Sequence, residues 1–253
     1  MNEELSIIKV NEELDVDTRR ADLGAAFFKT LVSAAPRVGQ YLTEVLGVAI
    51  PDLKFDRVVT FARVLGDRVK YLEEDMVRVK SKTQEFADLL EDGVVQASRA
   101  MTDERRGYIA SLLKNSITNK TLEHVEEKKL LALLGELNDA EVLMLKFFSL
   151  SSAGRREFAE THQELFGPID RSLDAPQENI DKGEFRDSYR NKLLEVSLLE
   201  PVYKRAEKGE MPEFDERTGR MKATSFRPTG LGKLLLRYID LGPAPDDGGA
   251  GVG

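Results

Sequence analysis

The chain has 253 residues, with 45 Asp and Glu against 37 Lys and Arg, a net charge of -8, no Cys, no Trp and 7% aromatic residues. The missing Cys excludes disulfides, thiolate metal sites and cysteine nucleophiles, and the sparse aromatics argue against a base-stacking platform. The acidic balance opposes non-specific attraction of the whole chain to DNA or to an anionic membrane.

The length suits one large domain or two small ones, and the Ala, Leu, Glu, Lys and Arg of the middle of the chain favour helix. Residues 1–20 are acidic and polar with no sustained period, the reverse of a secretory signal, and are expected to be a flexible leader of a cytoplasmic protein. The run from Leu23 to Ile50 is apolar and interleaved with small residues, and only Lys29, Arg37 and Glu44 bring charge. Pro36 divides it into pieces too short to span about 30 Å of hydrocarbon, so packing against protein is expected. The alternative is a membrane-perturbing segment, since small residues permit close helix approach in lipid.

The strongest pattern follows. Phe55, Val58, Ala62, Leu65, Val69, Leu72, Met76, Val79, Thr83, Phe86 and Leu90 succeed one another at spacings of three and four, and only Thr83 is not apolar. A 3-4 repeat holds one stripe on one helix face over about five heptads, which predicts a single coiled-coil-like helix across 52–92. Leu65, Val69, Leu72 and Met76 form the candidate interaction seam, facing a second copy, another protein or a hairpin partner within the chain. Apolar helix resumes at 94–101, after Gly93.

Thr102 is a candidate N-cap for a helix burying Tyr108, Ile109, Leu112, Leu113 and Ile117. Asn115, Asn119 and Thr121 mark a turn before a helix over Leu122–Leu137, and Asn138 or Asp139 opens the next, to Leu150. His124 and Glu127 share a helix face three residues apart, but two ligands do not make a metal site, and the pair reads as part of a solvated charged face. Further helices are expected over Arg155–Leu165 and from 184 toward 207, ended by Pro201, Gly209 and Pro212. Two strands around a turn at Arg217–Gly219 are expected within 213–227. Thr229 then caps a final helix, Leu231–Ile239, before a Gly, Pro and Asp-rich tail. The domain division is therefore a leader at 1–20, a helical domain at 21–138, a C-terminal domain at 139–241 and a disordered tail at 242–253.

The segment Phe226-Arg-Pro-Thr-Gly-Leu-Gly-Lys-Leu-Leu-Leu-Arg-Tyr-Ile239, preceded by three helices and a hairpin, resembles the wing strand and closing helix of bacterial winged-helix proteins. The resemblance covers roughly 139–241. It implies a mainly α fold with one β-hairpin, in which 184–201 is the candidate reading helix. Arg186, Arg190 and Lys192 would then face DNA or a partner from that helix, and Arg217, Arg220, Lys222 and Arg227 from the wing. Glu184, Asp187 and Glu195 sit among these cations, so strong phosphate binding is not expected. The small-residue segment at 23–50, the charged long helix and the stretch from Thr102-Asp-Glu-Arg-Arg to Leu137-Asn-Asp-Ala-Glu-Val also resemble bacterial abortive-infection alpha-type helical proteins. That likeness implies a setting in phage defence and no mechanism.

No Gly-rich phosphate loop, nucleophile elbow or metal-ligand cluster is present, so no catalytic residue, cofactor or metal is assigned. Thr229-Gly-Leu-Gly-Lys233 has the wrong spacing for a phosphate loop. The chain reads as a non-catalytic interaction or regulatory protein, with a membrane-perturbing effector and a DNA-binding regulator as alternatives.

Overall fold

A computed structural model describes residues 52–242 except 70, 73–75, 77–78, 81–82, 120, 171, 173, 205–212, 215–218 and 220. The expected leader, the apolar segment 23–50, most of the tail, Arg217 and Arg220 lie outside the described residues. The described residues are mainly helical with a two-stranded antiparallel sheet near the C-terminus. The chain divides into two compact units, one ending at Gly135 and the other beginning at Glu136.

The first unit carries α1 (Asp52–Val69), α2 (Gln84–Arg99), α3 (Asp103–Thr118) and α4 (His124–Glu136, whose last residue falls past the division). The single helix expected over 52–92 is not what forms: α1 stops at Val69 and α2 starts at Gln84. A turn at Tyr71–Leu72 follows the end of α1, with Leu72 N–H donating to the Val69 carbonyl at 2.9 Å, and a second interruption falls at Thr83, the one polar position of the stripe. The Thr83 backbone is extended, and its hydroxyl accepts from the Phe86 N–H at 3.2 Å and donates to the Lys80 carbonyl at 2.8 Å. A Thr hydroxyl that satisfies an orphan donor of the next turn makes a helix start there more favourable than continuation. The apolar stripe is thus divided between α1 and α2, with Met76, Val79 and Lys80 helical between them.

Phe61 and Leu65 of α1 pack in the core with Phe86, Leu89 and Leu90 of α2, Ile109, Leu112 and Leu113 of α3, and Leu130, Leu131 and Leu134 of α4, each nearly inaccessible. Burying one such side chain is worth about 1.5–3 kcal/mol. Thr102 caps α3 as expected, accepting from the Arg105 N–H at 3.2 Å. Two long-range bonds hold α4: Gln96 Nε2 donates to the Leu131 carbonyl at 2.9 Å, and Arg105 Nη1 donates to the Leu134 carbonyl at 2.8 Å. The second satisfies a last-turn carbonyl that has no partner within the helix.

The second unit carries α5 (Asp139–Ser149), α6 (Ser152–Thr161), α7 (Gln163–Phe166), α8 (Gln177–Glu195), β1 (Leu199–Tyr203), β2 (Ala223–Pro228) and α9 (Gly230–Tyr238). Asn138 opens α5 with a full capping box, its side chain accepting from Glu141 N–H while the Glu141 carboxylate accepts from Asn138 N–H. Helix α8 begins earlier than expected, at Gln177, and ends at Glu195. Two corrections concern the hairpin. Leu199–Tyr203, expected within a helix, is a strand. It pairs with Ala223–Pro228 in the register Leu199↔Pro228 through Tyr203↔Ala223, with an irregularity between Val202 and Tyr203. Of the strands expected within 213–227, the early part shows, among the described residues, the bridge Phe214↔Met221. The physical cause lies in two residues. Ser197 adopts a left-handed conformation at φ 59, letting Leu198 N–H bond back to the Leu193 carbonyl at 2.9 Å and close the helix, and Pro201 could not continue it.

Val142, Leu145, Leu193, Leu198, Leu235 and Leu236 form the core of this unit. Thr229 locks the closing helix to the hairpin. Its hydroxyl donates to the Ser197 carbonyl at 2.7 Å and accepts from Gly232 N–H at 3.0 Å, while its own N–H donates to the Leu198 carbonyl at 3.1 Å. Gly232 lies so close to that strand that an added Cβ would sit 2.2 Å from the Leu198 carbonyl oxygen. This explains the Thr-x-x-Gly spacing physically: the Thr caps, and the Gly permits contact of helix with strand.

Candidate functional site

The sequence-predicted cations of the reading helix lie on α8, and its own unit engages each of them. Arg186 Nη2 donates to the Gly167 carbonyl at 2.8 Å. Arg190 pairs with Asp187 at 3.0 Å and lies over the Phe226 ring, 5.0 Å from its centroid. Lys192 pairs with Glu136 at 3.3 Å. On the hairpin, Arg227 donates to Glu200 of the facing strand at 2.6 Å, and Lys222 stands 3.8 Å from Glu213, both cations well exposed. Arg190 thus fastens α8 to β2 through a cation–π contact, a structural role that the sequence pattern did not separate from a binding one.

The side of α8 that remains open is acidic. A groove of about 490 Å³ runs along it, lined on the helix by Glu184, Asp187, Ser188, Asn191, Lys192 and Glu195. These residues fall at i, i+3, i+4, i+7, i+8 and i+11, one helical face. The turn between α4 and α5 supplies the opposite wall, Glu136, Asn138 and Glu141. Five carboxylates therefore face one ammonium. Asp187 and Glu136 have cationic partners, and Glu141 is held by its capping bond. No ion pair among the described residues neutralises Glu184 or Glu195. The helical acids were legible as a period; the contribution of Glu136 and Glu141 was not, because a turn brings them there from about fifty positions away.

The seam residues are divided. Leu65 and Val69 are buried within the first unit, and Leu72 and Met76 are half-buried. Of their neighbours, Val79 is 66% and Tyr71 84% exposed. The stripe is thus intrachain core at Leu65 and Val69 and again at Phe86 and Leu90, and reaches the surface in between, at Val79.

A buried ionic cluster in the first unit was missed. Glu127, read from sequence as solvated, is fully buried, and neither carboxylate oxygen has a hydrogen bond among the described residues. Lys80 Nζ lies 3.7 Å away. Loss of hydration pushes the Glu127 carboxyl above its ordinary range, and the attraction of Lys80 offsets this only in part. The other acid–base contacts described on this helix are more exposed, and Lys128 also meets Asp92 at 3.0 Å. Asp88 takes Lys128 at 2.7 Å and His124 at 3.0 Å, and the Lys128 bond holds the Asp88 carboxyl below the usual range. His124 and Glu127 therefore do not converge on a common ligand. Among the described residues no group of three or more His, Cys, Asp or Glu is placed to hold a metal ion, and no helix is long and apolar enough to cross a membrane.

No protein-family model, curated protein or solved structure matches this chain.

Proposed function

We propose that the protein is a non-catalytic interaction or regulatory protein, with a winged-helix-like C-terminal unit that contacts protein and not DNA. One observation carries the reading. The cations that a DNA-reading helix would offer to phosphates are turned to partners within the unit, and the open face of α8 presents carboxylates instead. Phosphate recognition draws its affinity from unopposed positive charge and counterion release, and a carboxylate-lined groove repels the same backbone. The order of helices, hairpin and capped closing helix supports the winged-helix likeness, with the four-residue α7 standing beyond the three helices expected. Exposed Val79 on the stripe and exposed Tyr71, which lies off it, support contact with a second copy or another protein through the first unit.

The test is fluorescence anisotropy of the full chain with duplex DNA at low and at physiological salt. The expected result is no saturable binding at physiological salt. Sub-micromolar binding lost on changing Arg220 and Lys222 to Glu would overturn the reading in favour of a DNA-binding regulator. The likeness to abortive-infection alpha-type proteins suggests phage defence as the setting. Efficiency of plating of a phage panel on bacteria with and without the chain tests that part independently.

A further inference from the structure

Helix α8 has 19 residues, yet it buries only Gly183 and Leu193. Its first turns leave apolar side chains in solvent: Phe185 is 62% and Ile180 39% exposed, and Phe185 stacks on Tyr189 at 6.3 Å. Ile180 precedes Glu184 by four residues and Asp187 by seven, so it lies on the groove face. Phe185 precedes Ser188 by three and Lys192 by seven, along the groove margin. An apolar lip and a carboxylate-lined groove thus run along one helix. We propose that this face of α8 docks a basic segment of a protein partner, whose Lys or Arg side chains enter the groove between Glu184 and Glu195 and whose apolar anchors cover Phe185 and Ile180. The inference rests on the interaction reading above and deepens it by naming the partner's chemistry.

Charge complementarity selects the occupant. Glu184 and Glu195, which no ion pair among the described residues neutralises, disfavour an acidic or phosphorylated segment, because like charges in one groove repel. A small polycation would satisfy the carboxylates but would leave Phe185 and Ile180 uncovered. An amphipathic segment with basic and apolar residues on one face satisfies both parts.

The experiment uses the full chain and a labelled synthetic helical peptide of Lys and Leu, the Leu residues at helical spacing. Two control peptides replace Leu by Ser or Lys by Glu. The expected result is saturable binding of the Lys/Leu peptide alone, weakened about tenfold by Glu184→Lys with Glu195→Lys, a change of about 1.4 kcal/mol. Glu157→Lys with Glu160→Lys on α6 alters net charge equally and is expected to leave affinity within about twofold. Phe185→Ser, at an exposed position that folding does not need, is expected to weaken the Lys/Leu peptide as well. Equal losses from the two charge-reversed pairs, unaltered binding of the Ser control peptide, or displacement by spermine at equal concentration would overturn the proposal. Failure of the peptide arm with DNA still unbound refutes this inference alone. Tight DNA binding refutes the reading beneath it.

Discussion

Replacing Glu127 by Gln should make the first unit more stable at alkaline pH and should change little in acid. The carboxyl is fully buried, and its nearest cation, Lys80 Nζ, stands at 3.7 Å without a hydrogen bond. Two unit charges at that distance attract by about 4 kcal/mol at an effective dielectric of about 20. Removing a carboxylate from water costs several kcal/mol, and the ammonium is desolvated too. Desolvation prevails over the attraction, which is why the carboxyl is raised above its ordinary value of 4.5. A carboxyl raised in the folded state holds its proton better there than in the unfolded chain. Its contribution to stability is fully present below about 4.5 and is lost as pH rises through the raised value. Gln keeps the shape, cannot ionise and can accept from Lys80.

The difference between variant and wild type should therefore be near zero at pH 4 and grow to about 1–2 kcal/mol in favour of Gln by pH 8. Lys80→Met should act in the opposite direction, costing about 2–3 kcal/mol at pH 8 by leaving the buried charge unpaired, and little at pH 4. Urea unfolding followed by circular dichroism across this pH range measures both. A Gln variant less stable than wild type at pH 8, or a difference that does not vary with pH, would refute the reasoning and make the ion pair a net source of stability.

Three further outcomes are expected. Thr83→Leu would complete the apolar stripe of a continuous helix and stabilise it; because Thr83 caps α2, the substitution should instead lower stability by about 1 kcal/mol, read as a fall in melting temperature. Gly232→Ala forces a Cβ against the Leu198 carbonyl and should cost about 2–4 kcal/mol. Gly230→Ala, with open space around the added methyl, should leave melting unchanged or raise it slightly, so equal effects of the two would refute the close approach. Ser197→Gly, at φ 59, should stabilise the second unit by about 0.5–1 kcal/mol in denaturant titration.

The parts of the fold that were legible are those in which a single residue's chemistry settles a local choice. Thr102 and Asn138 were recognisable caps because Thr and Asn before acidic first turns satisfy orphan N–H groups. Thr229 and Gly232 marked the closing helix for the same reason. The seam misled because periodicity reports which face is apolar and not whether the backbone is continuous. A stripe shared by successive helical segments keeps its spacing when the intervening residues sum to near whole turns. Thr83 was the visible exception, and its hydroxyl marks the start of α2; no residue of the stripe marked the end of α1 at Val69. Leu199–Tyr203 was obscured by the helical run before it. Only the left-handed Ser197, a residue type with no strong preference for that conformation, closes α8 early enough for a strand to form.

Charge was the least legible property, and the candidate site depends on it. Arg186, Arg190 and Lys192 are as cationic in the sequence as any residues that grip phosphate. Their availability depends on Gly167, Asp187, Phe226 and Glu136, of which only Asp187 is close in sequence. Once those partners are assigned, the character of α8 reverses. It holds five acidic residues, among them Glu184 and Glu195, and the carboxylates of these two face the groove without a cation among the described residues. The same reversal, in the opposite sense, placed Glu127 in the core beside Lys80 when its sequence neighbours suggested a solvated face. A net charge of -8 constrains partners only on average. The charges that select a partner are those the fold leaves unpaired, and on α8 they are negative and bordered by exposed Phe185, which is the ground for proposing a basic, apolar-anchored protein segment ahead of a nucleic acid.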